Sequence, residues 1–130
     1  MKPNAILLLN ADPDVEKALN EVVSQSGHGL VTARTAVEAF RILREGAKDV
    51  KLVLIDLDPE IHGVALLTAV ADLRENVPIV TVTSLEESYM KPLAIGRGAV
   101  ECLGKPVAAS RFAEAIQRYC EPREASGSTG

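Results

Sequence analysis

The sequence has little cysteine and no grouping of what it has. Cys102 and Cys120 stand alone, without CxxC spacing or a matching pair of histidines, so neither a disulfide framework nor a zinc site is indicated and a reduced, intracellular chain is expected. An excess of basic residues is also missing. Fourteen Lys and Arg stand against eighteen Asp and Glu, a net charge of −4, so no broad positive field exists to hold phosphate backbones or anionic lipid, and nucleic acid is not an expected partner. No segment reaches the ~18 apolar residues of a membrane span, and Met1-Lys2-Pro3-Asn4 leads into a run too short for a signal peptide. From these absences a cytoplasmic chain, away from membranes, is expected. There is no internal repeat.

What the chain does have is the size and composition of one compact domain. Its 130 residues, 47% apolar and 25% charged, are enough to bury a core without staples. We assign residues 1–121 to the domain. Residues 122–130, Pro-Arg-Glu-Ala-Ser-Gly-Ser-Thr-Gly, have the small, polar composition of a flexible tail or linker.

Five short apolar runs recur: Ala5 to Leu9, Gly29 to Ala33, Leu52 to Ile55, Ile79 to Val82 and Ala99 to Leu103. Each reads as a strand buried on both faces. Between them lie helical stretches. The first has Asp12 as N-cap, Pro13 at the first helical position, Val15, Leu19, Val22 and Val23 inward, and Gly27 as its stop. The second opens on the capping box Thr35-Ala36-Val37-Glu38, turns Ala36, Phe40 and Leu43 inward, and ends at Gly46. The third runs from about Gly63 to Glu75 with Leu66, Leu67, Val70 and Leu73 inward, after which Val77-Pro78 forces an extended backbone. The fourth is ambiguous. Ser84-Leu85-Glu86-Glu87 reads as a capping box, but Pro92 sits about two turns in, where proline costs a helix ~3 kcal/mol. Either that helix is kinked, or a turn over residues 84–90 precedes a short helix with Pro92 near its start. The last, about Ala108 to Tyr119, turns Phe112 and Ile116 inward and lacks a good cap unless Ser110 serves.

A repeating βα pattern predicts an α/β fold in three layers, a flavodoxin-like, doubly wound parallel sheet with strand order 2-1-3-4-5. A fragment of a Rossmann-type sheet is the alternative, but no GxGxxG follows the first strand. In such a sheet the C-terminal ends of strands 1, 3, 4 and 5 meet at one edge. Those ends carry Asn10, Asp56, Thr83 and Lys105. Each has a plain structural explanation: a helix cap, a strand hydroxyl, a solvated loop lysine. Together a carboxylate, a hydroxyl and an ammonium suit phosphoryl chemistry, as nucleophile, hydrogen-bond donor and charge neutraliser.

At this point the chain resembles a known family. The segments "ILLLNADPDV", "LVLIDLDPEIHG", "VPIVTVTS" and "GAVECLGKPV" are similar to the receiver domain of bacterial two-component response regulators, over about residues 4–120. The resemblance makes Asp56 the phospho-acceptor, Thr83 the switch hydroxyl, and Lys105, followed by Pro106, the lysine motif. It implies a phosphoryl group taken from a histidine kinase, Mg²⁺ held by Asp56, the backbone carbonyl of Asp58 and an acidic pair at the end of strand 1, and an output domain in the parent chain. In the family the phosphoryl oxygens then draw in the Thr and the Lys, while an aromatic residue on strand 5 rotates inward.

The departures fall on the parts that hold the metal and give the output. The acidic pair is replaced by Asn10 and Ala11. Asn10 could offer an oxygen, Ala11 cannot ligate, and Asp12 or Asp58 could substitute only by swinging in, although Asp12 already caps a helix. Weak or absent Mg²⁺ binding is expected. The switch aromatic position is Cys102, read as a core residue. The loop after Asp56 is one residue shorter than usual, with Glu60, Ile61 and His62 before Gly63 and His62 exposed. Without other acids, Asp56 and Lys105 should form a nearly neutral ion pair.

Three functions compete. The first is a phosphorylation-independent interaction module, a pseudo-receiver, working through helix 4, strand 5 and helix 5, a face that could also form a homodimer. The second is an active receiver phosphorylated on Asp56. The third is an enzyme: Asp56-Leu57-Asp58 resembles the DxD pair of haloacid-dehalogenase-type phosphatases, with Thr83 or Ser84 and Lys105 as later motifs. That family has a further acidic motif on a strand after the lysine, and here a helix and tail follow.

Overall fold

A computed structural model describes residues 4–46, 49–58, 60–73 and 76–120, without the side chains of residues 60 and 61. The proposed tail and the end of the third helix at Glu75 lie outside the described residues. Strands and helices alternate: β1 (Ala5–Leu9), α1 (Pro13–Ser26), β2 (Gly29–Ala33), α2 (Ala36–Glu45), β3 (Val50–Asp56), α3 (Glu60–Leu73), β4 (Ile79–Thr83), α4 (Glu87–Gly96), β5 (Glu101–Gly104) and α5 (Ala109–Tyr119). The strands are parallel, in the order β2-β1-β3-β4-β5. The predicted fold is the observed one.

Alternation along the strands sorts the core into two layers. Ile6 and Leu8 of β1, with Leu52 and Leu54 of β3, face α1 and α5, where Val15, Leu19, Phe112 and Ile116 cover them. Leu7 and Leu9, with Val53 and Ile55, face α2, α3 and α4, where Leu43, Leu67, Val70 and Met90 do the same. Both faces of the central strands are therefore dry, as a parallel sheet requires. Each fully buried aliphatic side chain removed from water contributes about 1.5–3 kcal/mol.

Local signals act as expected in the first two helices. The Asp12 carboxylate accepts the Val15 N–H at 2.9 Å, and α1 stops at Gly27 with φ of 84°. Thr35 Oγ1 accepts the Glu38 N–H at 3.1 Å, while the Glu38 carboxylate accepts the N–H of Arg34 at 2.9 Å. In α2 the fully covered residues are Ala39 and Leu43, with Ala36 and Phe40 only half-buried.

Elsewhere the structure corrects the sequence reading. Helix α3 starts at Glu60, so residues 60–62 are its first turn rather than a loop, and His62 is exposed on that turn. The early start brings Gly63 against the chain that leaves β3: a Cβ there would lie 2.3–2.5 Å from backbone atoms of Leu57. The Ser84 capping box does not form. Helix α4 begins after Glu86, which makes no side-chain cap bond, and runs unbroken through Pro92 to Gly96. Helix α5 begins after Ala108, also without a side-chain cap, so Ser110 does not serve. Strand β3 is longer than expected at both ends, and β5 starts two residues late, at Glu101.

Candidate functional site

The register of the sheet levels the strand ends. Asp56 pairs with Val82, and Thr83 pairs with Gly104; Asn10 follows β1 in a left-handed conformation, φ 64°. Asn10, Asp56, Thr83 and Lys105 thus gather at the C-terminal edge, as the strand order predicts. Main-chain bonds fix the edge: the Leu57 N–H donates to Val82 O and the Lys105 N–H to Thr83 O, each at 2.8 Å.

Lys105 is the hub. Its ammonium lies 2.6 Å from Asp12 Oδ2, 2.8 Å from Asp56 Oδ2 and 2.9 Å from Asp58 Oδ2. One cation therefore serves three carboxylates, and the isolated Asp56–Lys105 pair expected from the sequence is not what forms. Asp12 caps α1 with one oxygen and binds Lys105 with the other, so capping did not exclude it from the site. Asp56 is 1% exposed. Both of its oxygens are engaged: Oδ1 accepts the Asp58 N–H at 3.0 Å, and Oδ2 accepts the Asp12 N–H at 3.1 Å as well as Lys105.

Titration follows this geometry. Burial works against the charge on Lys105, but its hydrogen bonds to Asp12, Asp56 and Asp58 outweigh it, and the ammonium is held above lysine's ordinary range. The Lys105 hydrogen bond, with the Val15 N–H, holds the Asp12 carboxyl below the usual carboxylate range. For Asp58 desolvation raises the pKa, yet Lys105 and the Ser84 N–H prevail and the net direction is down.

Asn10 is oriented by its partners. Its Nδ2 donates to Asp56 O at 3.1 Å and to Asp58 O at 3.2 Å, and since both are carbonyl oxygens, the amide nitrogen must face them. Ala11 presents only a methyl. Among the described residues no group of three or more His, Cys, Asp or Glu is placed to hold a metal ion.

Thr83 is fully buried, and its Oγ1 accepts the Leu85 N–H at 3.0 Å, within its own loop. Cys102 is fully buried among the residues under α4, and burial pushes its thiol pKa up. Two side chains make contacts that the sequence reading did not assign to them. The Asp58 side chain reaches Lys105 and also accepts the Ser84 N–H. The Glu87 carboxylate accepts the Gly104 N–H at 3.0 Å and lies 3.3 Å from Arg111 Nη1. The two-residue spacing of Asp56 and Asp58 could have suggested the first; nothing local marks the second, which joins residues 17 positions apart. Beside the cluster, a cleft of about 300 Å³ opens between α1 and the start of α5, with Val15, Val107 and Phe112 in its wall.

Comparison with known proteins gives a consistent result. Residues 6–117 match the family model described as the response regulator receiver domain. The chain is 30% identical over 102 residues to the transcriptional regulatory protein CpxR homolog of Haemophilus influenzae, covering 78% of this chain and 43% of that one. It is 29% identical over 125 residues to the transcriptional regulatory protein CitT of Halalkalibacterium halodurans, covering 94% and 54%. The chain spans about half the length of these curated relatives. Among solved structures, the receiver domain of NtrX from Brucella abortus superposes with a TM-score of 0.73 at 25% identity, covering 87% of this chain and 95% of that one.

Proposed function

The chain belongs to the response regulator receiver domain family of two-component signalling, and from that premise we propose that it signals without phosphorylation, as a module that engages partner proteins through its surface. The observation that carries this reading is the occupation of the acceptor. Asp56 is buried, with its oxygens bound by Lys105 and by two main-chain N–H groups, and a nucleophile so enclosed is poorly placed to attack phosphorus.

The metal that supports phosphotransfer in this family does not fit the residues present. Mg²⁺ asks for oxygen ligands in near-octahedral array. Here the carbonyl of Asp58 receives the amide protons of Asn10, the position next to it is Ala11, and the carboxylates of Asp12, Asp56 and Asp58 already share an ammonium. We therefore assign the site weak or no Mg²⁺ binding and derive no step through the metal.

Receiver domains work with histidine kinases and are often joined to output domains; for this chain a kinase or another cytoplasmic signalling protein is the proposed partner. Exposed apolar side chains on α4, Tyr89 and Ile95, and Val100 just before β5 support the α4–β5–α5 face as the surface it uses, including for a homodimer. Retention of Asp56, Thr83 and Lys105 at the strand ends supports a second reading, an active receiver modified on Asp56. The receiver-family match supports a signalling role over the phosphatase reading.

Incubation with acetyl phosphate and Mg²⁺, followed by intact-mass measurement, separates the two readings. An unchanged mass is expected. A phosphoryl adduct that disappears in Asp56→Ala would establish the active receiver instead.

A further inference from the structure

The family resemblance uses Asp58 through its backbone carbonyl, yet here its side chain makes the more telling contacts. Its carboxylate accepts the Ser84 N–H at 3.1 Å on Oδ2 and 3.3 Å on Oδ1, and its Oδ2 lies 2.9 Å from the Lys105 ammonium. Ser84 directly follows Thr83, at the start of the loop between β4 and α4. An anion made only of acceptor oxygens, bound at once by the lysine after β5 and by the first N–H after β4, has the sign of charge and the acceptor character, though not the full charge, of a phosphoryl group carried on Asp56.

We propose that the Asp58 carboxylate is an internal stand-in for that phosphoryl group, fixing the β4–α4 loop in one arrangement without modification of Asp56. This rests on the phosphorylation-independent reading above and supplies its device. The loop is fastened at three successive points: Ser84 N–H to Asp58, Leu85 N–H to Thr83 Oγ1, and the Glu87 carboxylate to the Gly104 N–H. Thr83 Oγ1 accepts within its own loop, which leaves its O–H as the hydroxyl's donor. An oxyanion from solution would have to displace Asp58 from both Ser84 and Lys105 to enter.

Amide hydrogen exchange, followed by NMR on the full chain, tests this. In Asp58→Ala the Ser84 N–H loses a charged acceptor, and its exchange should accelerate at least about tenfold. Inorganic phosphate, added without metal, should slow that exchange again and return the Ser84 shift toward its wild-type position, while leaving the wild-type spectrum unmoved. Asp58→Asn keeps an acceptor oxygen but not the charge, so a smaller acceleration in the same direction is expected, and it provides the measurement should Asp58→Ala fail to fold. Unaltered Ser84 exchange, or no response of Asp58→Ala to phosphate, overturns the proposal. A phosphoryl adduct on wild-type Asp56 overturns the parent reading instead, through an independent readout.

Discussion

Replacing Lys105 by methionine removes one charge and leaves three of opposite sign around the space it filled. The Lys105 side chain is 14% exposed, Asp56 1% and Asp58 27%. Carboxylate oxygens that share one nitrogen at 2.6–2.9 Å stand no more than about 5–6 Å apart, where each pair of unit charges repels by roughly 3 kcal/mol at an effective dielectric of 20. Asp12, at 41% exposure, is screened by water and adds little. Breaking a buried pairing by removing one partner costs on the order of 3–5 kcal/mol. We therefore expect Lys105→Met to lose about 3 kcal/mol at pH 7, seen as a melting temperature roughly 10 °C lower.

The pH dependence carries the sharper signature. In the wild type the pKa values of Asp12 and Asp58 lie below the ordinary 3.8, so their contribution is full above that value and is lost as pH falls through the folded-state values. The contribution of Lys105, whose pKa is raised above 10.5, is full below 10.5 and lost only as pH rises through its folded value. In Lys105→Met the orphaned carboxylates have raised pKa values, the folded state binds more protons than the unfolded one, and stability should increase as pH falls from 7 toward 5. Urea unfolding followed by far-ultraviolet circular dichroism at both pH values measures this. A deficit below about 1 kcal/mol at pH 7, or one that does not shrink at pH 5, would refute the shared-ammonium account.

Gly63→Ala sets a methyl against the Leu57 backbone at under 2.5 Å, and since backbone cannot rotate away, thermal unfolding should show a loss of about 3 kcal/mol. Asn10→Ala strips the carbonyls of Asp56 and Asp58 of a donor and should cost about 1–2 kcal/mol in chemical denaturation. The double change Asn10→Asp with Ala11→Asp should confer saturable Mg²⁺ binding, visible as shifts of amides near Asp56 in a titration that leaves the wild type flat. Pro92→Ala restores a helical N–H within α4 at an exposed position, and a gain of about 1 kcal/mol in unfolding free energy is expected.

Most of the fold was legible because each strand is a short aliphatic run and α1 and α2 carry their own caps. The α4 start was misread for a physical reason: Ser84 has the right residue type for a cap, but both halves of the capping box bond elsewhere, its N–H to the Asp58 carboxylate and the Glu87 carboxylate to the Gly104 N–H. The early start of α3 was hidden because a glycine at residue 63 reads as a loop signal, whereas here it permits close packing on Leu57. At the site, strand order alone brought Asn10, Asp56, Thr83 and Lys105 together. What the sequence withheld was direction: which atom of the Asn10 amide faces inward, and that a lysine side chain reaches Asp12 and Asp58 as well as Asp56. Those are choices made by side-chain torsions in three dimensions, and no spacing rule encodes them.

The bond from the Gly104 N–H to Glu87 gives two adjacent residues opposite attachments. Gly104 is hooked to the first turn of α4, and Lys105, one peptide unit on, grips the acidic pocket. A single peptide unit thus ties the first turn of α4 to the ammonium in the acidic pocket, so a shift of that turn would be felt first at the Gly104–Lys105 peptide.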